Sequence, residues 1–447
     1  MPVQAAHSSS SRSTLRLLSS DHRIRLEPFK MRLLTGSFLA LIAVAMAQPT
    51  KENKEQALRA VSDSASLFSS DFTKKVAEDN PGNLITSPLS ASLVLSMASY
   101  GSGGETQKQF QNVLHLPTPE QKAQIGFQAL IDGLNNVEGV DLSVANKIFV
   151  NKDFPIKPNY SALTSQYFRS TSESVNFNAP TQAAEVINNW VKQETHNRID
   201  GIVDADSLDP STALVLTNAV YFKGLWKYSF NSTDTMDRPF YINGETPKNV
   251  PTMYRKINTR YGESTELGAK ILELPYKGEK MSMVIILPND INGLAEVERK
   301  LQNVNLGKLM DENAYSREVH VYLPKFKIES TLDLMNTLQK MGMTDMFTRA
   351  ANFSGISDAP LYVSKVMQKA FIEVNEEGSE ASAVTEIEFV FESAFISLPD
   401  VHFRADHPFF FYIIRYPTNI NAPQPTNIDT SIEQLFNGHI RNFTHTE

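Results

Sequence analysis

Cysteine is absent from this chain, so disulfides, thiolate nucleophiles and cysteine metal sites are all excluded. A disulfide-free chain is unusual outside the cell, but 447 residues at 41% apolar content can bury a core that needs no such staples. Enzyme signatures are missing too: there is no HExxH, no GxSxG elbow and no EF-hand loop, and the 9 histidines are scattered. Neither catalytic residues nor a cofactor or metal is therefore expected, and a secreted hydrolase is the weakest of the functional readings. Basic residues are outnumbered, 42 to 50, which disfavours nucleic acid and anionic membrane as partners. No apolar run is long enough to span a bilayer: the longest candidate, Leu33–Val44, has about a dozen residues against the ~20 required. A last absence is local, for no Lys or Arg occurs between Lys369 and Arg404.

The chain opens with a Ser- and Arg-rich stretch, 1–30, without hydrophobic periodicity. Met31-Arg32, the apolar run and Ala45-Met46-Ala47 then have the form of a secretory signal with an A-x-A cleavage site. Residues 1–30 are accordingly expected to be an upstream extension, with Met31 the initiator, and the mature protein to be extracellular. Removing 1–47 takes away six basic and two acidic residues, which moves the formal charge from −8 to −12. Sequons at Asn159, Asn231 and Asn442 fit secretion, while a fourth at Asn352 sits in an apolar context and is set aside.

Apolar periodicity predicts helices over 56–76, 105–114, 120–134, 183–195 and 332–342. A further helix opens at Ser87-Pro88, with Leu89, Leu93, Val94 and Met97 on one face, and stops at Gly101–Gly104, a run without phosphate-loop spacing. Strands are predicted over 144–150, 213–222, 271–274, 281–287, 319–323 and 361–374. Helices and strands mix along the whole length, which is an α+β pattern. Asp406 and His407 invite a triad reading, but as neighbours on a strand they point to opposite faces, so a structural role is expected.

The stretch Glu376–Ser393 stands apart from these elements. Ser379, Ala381, Ala383, Thr385, Ile387 and Phe389 share one face of an extended chain, and Glu380, Glu386 and Glu388 share the other. The segment lies between two apolar runs, 371–374 and 409–414, with no hairpin signal, and loops that long are uncommon unless functional or disordered. Its small side chains could enter a narrow gap between two strands, whereas bulky or charged ones could not.

Asn375–Ala383 (NEEGSEASA) followed by Phe403–Phe409 (FRADHPF) resembles the hinge and downstream signature of the serpin superfamily. Further matches run through NLITSPLSASLVLSMASYGSGGET at 83–106, ANKIFV at 145–150, LTNAVYFKGLW at 216–226 and VYLPKFKIE at 321–329. The resemblance implies one serpin domain over 48–447, with helices around three mostly antiparallel sheets and an exposed reactive-centre loop at about 376–401. It implies a monomeric suicide inhibitor, not an enzyme, that forms a covalent complex with a serine endopeptidase. The alternative is a non-inhibitory serpin with a carrier, chaperone or storage role.

Carried over position by position, the resemblance makes Glu376, Glu377, Gly378, Ser379, Glu380, Ala381, Ser382 and Ala383 the hinge. Ser87, Ser90 and Asn218 become members of a buried polar cluster that holds the main sheet closed. Gln368 stands where the family usually has His, which keeps a donor and an acceptor but removes pH sensitivity. Trp226 matches the aromatic where the loop enters, and Lys325 the ion-pair partner of Glu376. Family spacing puts the reactive bond at Glu392–Ser393, with bonds at Phe391 and Phe395 as alternatives. A target of chymotrypsin or elastase type is expected, with a Glu-preferring protease as runner-up, because the loop offers no Lys or Arg to an acidic specificity pocket. Heparin-type activation is not expected, since 107–116, where the resembling helix lies, holds no basic cluster. The Pro- and Asn-rich 417–431 is an insertion where the family has a short hairpin.

Overall fold

Ala57, Val61, Ala65, Phe68, Phe72 and Val76 recur at helical spacing and form the buried stripe of α1 (Lys51–Asp79). In this computed structural model, the described residues are 50–135, 137–242, 246–302, 304–378, 400–416 and 432–443. The upstream extension and signal segment, 1–47, and the insertion at 417–431 lie outside them, as do Ser379, Glu380, Ala381, Ser382, Ala383, Phe391, Glu392, Ser393 and Phe395.

After the short β1 (Leu84–Thr86), Ser87 caps α2 (Pro88–Ser99), accepting from the Ser90 N–H, and Pro88 takes the first turn, where no N–H is needed. The expected one-sided apolar face is exceeded here, for every residue of α2 is buried. Its small residues, Ser90, Ala91, Ser92, Ser96 and Ala98, let it be packed on all sides. Helices α3 (Gly104–Leu114), α4 (Glu120–Leu134), α5 (Pro158–Phe168) and α6 (Pro180–Glu194) follow.

A five-stranded sheet has the order β10-β11-β4-β2-β3, from β10 (Phe326–Asp333), β11 (Val363–Val374), β4 (Leu214–Gly224), β2 (Val140–Asn151) and β3 (Glu173–Val175). Strand parity divides its residues between two cores. Leu214, Leu216, Val220 and Phe222 of β4 face the main core with α1 and α2, while Val215, Ala219 and Tyr221 face Ala184, Ile187 and Val191 of α6.

The remaining strands are β5 (Met236–Phe240), β6 (Lys248–Ser264), β7 (Ala269–Pro275), β8 (Met281–Pro288), β9 (Ala314–Pro324), β12 (Val401–Arg404), β13 (Phe409–Arg415) and β14 (Glu433–Ile440). With β1 they form one nine-stranded sheet, covered on one face by α7 (Leu294–Leu301) and α8 (Leu306–Asn313). Three sheets were expected, and the described residues form two. The reason lies in β6, a 17-residue strand that pairs with β5 at one end, β7 at the other and β9 between, which joins two layers into one ladder.

Two segments differ from their sequence reading. Leu332 belongs to β10, whose residues alternate buried and exposed, so the helix α9 begins only at Met335 and runs to Met341. Val401–Arg404, given no element from the sequence, pairs in parallel with β9 as β12. No helix among the described residues is long and apolar enough to cross a membrane.

Candidate functional site

Strands β4 and β11 lie side by side in parallel, with Leu216 opposite Val366 and Phe222 opposite Ile372. Parallel neighbours need a long connection, and here both strands end on the same side of the sheet, where the chain leaves β11 toward the segment 379–399. The turn that begins this exit is held by backbone. The Phe230 N–H donates to Glu376 O at 2.7 Å, the Trp226 N–H to Glu377 O at 3.2 Å, and the Gly378 N–H to Asn375 O at 3.2 Å. Gly378 has φ +81°, and a Cβ there would lie 2.1 Å from the carbonyl oxygen of Gly224, so both conformation and space demand glycine.

Trp226 packs flat on Tyr276 at 4.5 Å between ring centroids and donates its indole N–H to Asn375 O at 2.9 Å. Lys325 stands between β9 and β10, which belong to different sheets, and the pairing of Phe326 with Val374 brings it beside the turn. Its Nζ lies 2.8 Å from Glu376 Oε2, and the Thr235 hydroxyl donates to Oε1 at 2.8 Å. Burial pushes the Glu376 carboxyl upward, but Lys325, the residue's own N–H and Thr235 more than offset this and hold it below the usual carboxylate value.

Further down the same seam, three carboxamides occupy one row. Asn146 of β2 is opposite Asn218 of β4, which is opposite Gln368 of β11. All three are on the side of the sheet that faces the main core, where their strand neighbours at i±2 are apolar. Gln368 donates to Asn218 Oδ1 at 2.6 Å and to Ser87 O at 2.9 Å, and its Oε1 accepts from the Ser87 N–H at 3.0 Å and from the Thr86 hydroxyl. Asn218 donates to Asn146 Oδ1 at 2.6 Å and to the Ser90 hydroxyl, and the Ser87 hydroxyl donates to Leu435 O at 2.6 Å. Every polar atom of the Gln368 carboxamide is thus used, which full burial requires. Sequence reasoning named Ser87, Ser90, Asn218 and Gln368, and missed Asn146, Thr86 and Thr235. A signal existed for Asn146, the one polar residue on the buried-face parity of 144–150.

The family model described as serpin (serine protease inhibitor) matches residues 63–421. The chain is a serpin. It is 39% identical to alaserpin of Manduca sexta over 83% of this chain and 93% of that protein. It is 36% identical to antichymotrypsin-2 of Bombyx mori over 77% of this chain and 92% of that protein. Among solved structures, that of Serpin48 from the insect Tenebrio molitor, described as a highly specific serpin, matches with TM-score 0.75 and 31% identity, covering 86% of this chain and 99% of that one.

In this serpin Asp406 and His407 do face one another, contrary to the expectation from strand parity. Both lie in a bend between β12 and β13 rather than in a strand, and His407 Nδ1 is 2.8 Å from Asp406 Oδ1. The other ring nitrogen is tied to Pro288 O at 2.8 Å, so the imidazole is fully occupied in joining the bend to β8. Of the sequons, Asn159 and Asn231 are exposed. Asn442 is half-buried, and its backbone N–H and C=O are both bonded to the Asn83 side chain. Among the described residues no group of three or more His, Asp and Glu is arranged to hold a metal ion.

Proposed function

We propose that this serpin inhibits a serine endopeptidase as a suicide substrate. The protease serine attacks a loop carbonyl within 379–399 and forms an acyl-enzyme, and the freed loop then enters between β4 and β11 before the ester hydrolyses. One observation carries this reading: β4 and β11 pair in parallel, and the chain turns away through Gly378 at the end of that seam. A segment folding back from Gly378 runs antiparallel to both neighbours. One parallel ladder is then replaced by two antiparallel ones, the better-paired arrangement. About a dozen inserted residues, at ~0.5–1.5 kcal/mol net per ladder bond, supply free energy on the order of 10 kcal/mol. Ser379, Ala381 and Ala383 are the small residues that would enter first, and the bond between Asn218 and Gln368 must open to admit them.

Lacking Lys and Arg between Lys369 and Arg404, the loop suits a chymotrypsin- or elastase-like protease, cut at Glu392–Ser393 or at Phe391 or Phe395. The protein acts outside the cell, as a monomer carrying glycans at Asn159 and Asn231, with Asn442 the third acceptor. Incubation with chymotrypsin and elastase should give an SDS-stable complex, and mass spectrometry of the released C-terminal fragment locates the bond. Cleavage without a complex would overturn inhibition in favour of a non-inhibitory carrier, chaperone or storage role. Stoichiometric trapping of trypsin would overturn the target preference alone.

A further inference from the structure

On the nine-stranded sheet, away from the seam, two arginines converge on one tyrosine. Arg238 of β5 lies with its Cζ 4.8 Å from the ring centroid of Tyr322 on β9, and Arg404 of β12, directly opposite Tyr322 in register, lies at 5.3 Å. Among the described residues neither guanidinium has a carboxylate within 4.0 Å, although the chain as a whole carries a net charge of −8. The Arg238 Nε is also buried and meets no acceptor. A buried guanidinium N–H without an acceptor is costly, and contact with an aromatic face satisfies the charge but not that donor.

The two guanidinium groups line a cavity of about 290 Å³, with Phe240, Val250 and Tyr322 among its walls. A void of about 150 Å³ already accepts benzene, so the space takes an aromatic ring together with a charged head. Asp406 also borders it, but its Oδ1 is engaged by His407 Nδ1 at 2.8 Å, which leaves two cations facing one partly committed carboxylate. Paired guanidiniums present parallel N–H donors that match the oxygens of a carboxylate or sulfate.

We infer that this cavity binds a small oxyanion carried on an aromatic stem, an aryl sulfate or an aryl carboxylate. The inference is independent of the inhibitory reading, because none of these residues belongs to the seam between β4 and β11. Calorimetric titration of the intact protein with phenyl sulfate, phenylacetate and neutral benzyl alcohol tests it. Saturable one-to-one binding of either anion, with benzyl alcohol at least about tenfold weaker, is expected. The preferred anion separates a sulfated aromatic ligand, such as a tyrosine sulfate, from an aromatic acid. Each of R238Q and R404Q should weaken binding about tenfold, and the pair together about a hundredfold. No saturable heat with either anion, unchanged affinity in the double variant, or equal binding of benzyl alcohol would each overturn the site. Should the double variant fail to fold, R404Q, whose side chain is exposed, carries the same test alone.

Discussion

Replacing Gln368 by Met keeps the length of the side chain and removes all its polar atoms, which isolates what the amide row contributes. Four hydrogen bonds disappear, to Thr86, to the Ser87 N–H, to Ser87 O and to Asn218 Oδ1. Ser87 O keeps the Ala91 N–H at 3.0 Å, and the Thr86 hydroxyl can rotate. The Ser87 N–H and Asn218 Oδ1 are left buried and unpaired, at a cost of about 1–3 kcal/mol each. A loss of about 2–6 kcal/mol follows, and with an unfolding entropy of ~2.1 cal/mol/K per residue over roughly 390 residues this lowers the melting temperature by about 2–7 °C. The row spans the seam between β4 and β11, so the loss falls on the closed sheet and should also favour strand entry from another molecule. Circular-dichroism melts and native gels after mild heating read the two effects. A shift below about 1 °C, or a lowered melt without extra polymer, would refute the idea that these amides hold the seam shut.

Gln368→His should fold at neutral pH, because a neutral imidazole offers one donor and one acceptor. Its buried charged form is penalised, so the folded pKa falls and stability should be lost as pH drops below ~6.5, by up to about 1.4 kcal/mol per pH unit; urea titrations at several pH values would show no such slope in the parent. Glu376→Lys sets two cations face to face at the loop base and should give polymers on warming, whereas equal monomer content in mutant and parent would remove Lys325–Glu376 from the closing machinery. Since the folded Glu376 carboxyl lies below its ordinary value, its contribution is complete above ~4.3 and lost as pH falls through the lowered value. Acid-induced polymerisation should therefore be reduced in its pH dependence in Glu376→Gln. Ser379→Arg must carry an unpaired guanidinium into the sheet at the start of insertion, so it should turn inhibitor into substrate, while Glu380→Arg should do far less. Equal complex-to-cleaved ratios for the two variants would show that the assumed inward face is wrong.

The helices of this serpin were legible because their signal is local. The stripe from Ala57 to Val76, the cap at Ser87-Pro88 and the glycine stop after α2 each lie within a few turns of one segment. Strand propensity was legible for the same reason and marked 213–222 as a strand before its partners were known. Parity misled where the local state was misjudged: Asp406 and His407 were given strand geometry, and a bend put them in contact. Lys325 and Glu376 were paired through family resemblance, since nothing in the spacing of residues 51 positions apart points to a contact.

By itself, then, the sequence determined element type, the inward and outward faces, the absence of thiols and the lack of Lys or Arg in the loop, all properties of single residues or short windows. Which strands became neighbours was decided only in the tertiary structure. Asn218 and Gln368 are 150 residues apart, and their bond exists because β4 and β11 lie in one register between two packed cores. A slip of one residue would have turned Gln368 to the other face, and only the burial of Val366, Ala370 and Ile372 against distant helices forbids it. The convergence of Arg238 and Arg404 on Tyr322 has the same origin: three strands from distant parts of the chain meet in one sheet, and no window of sequence contains all three.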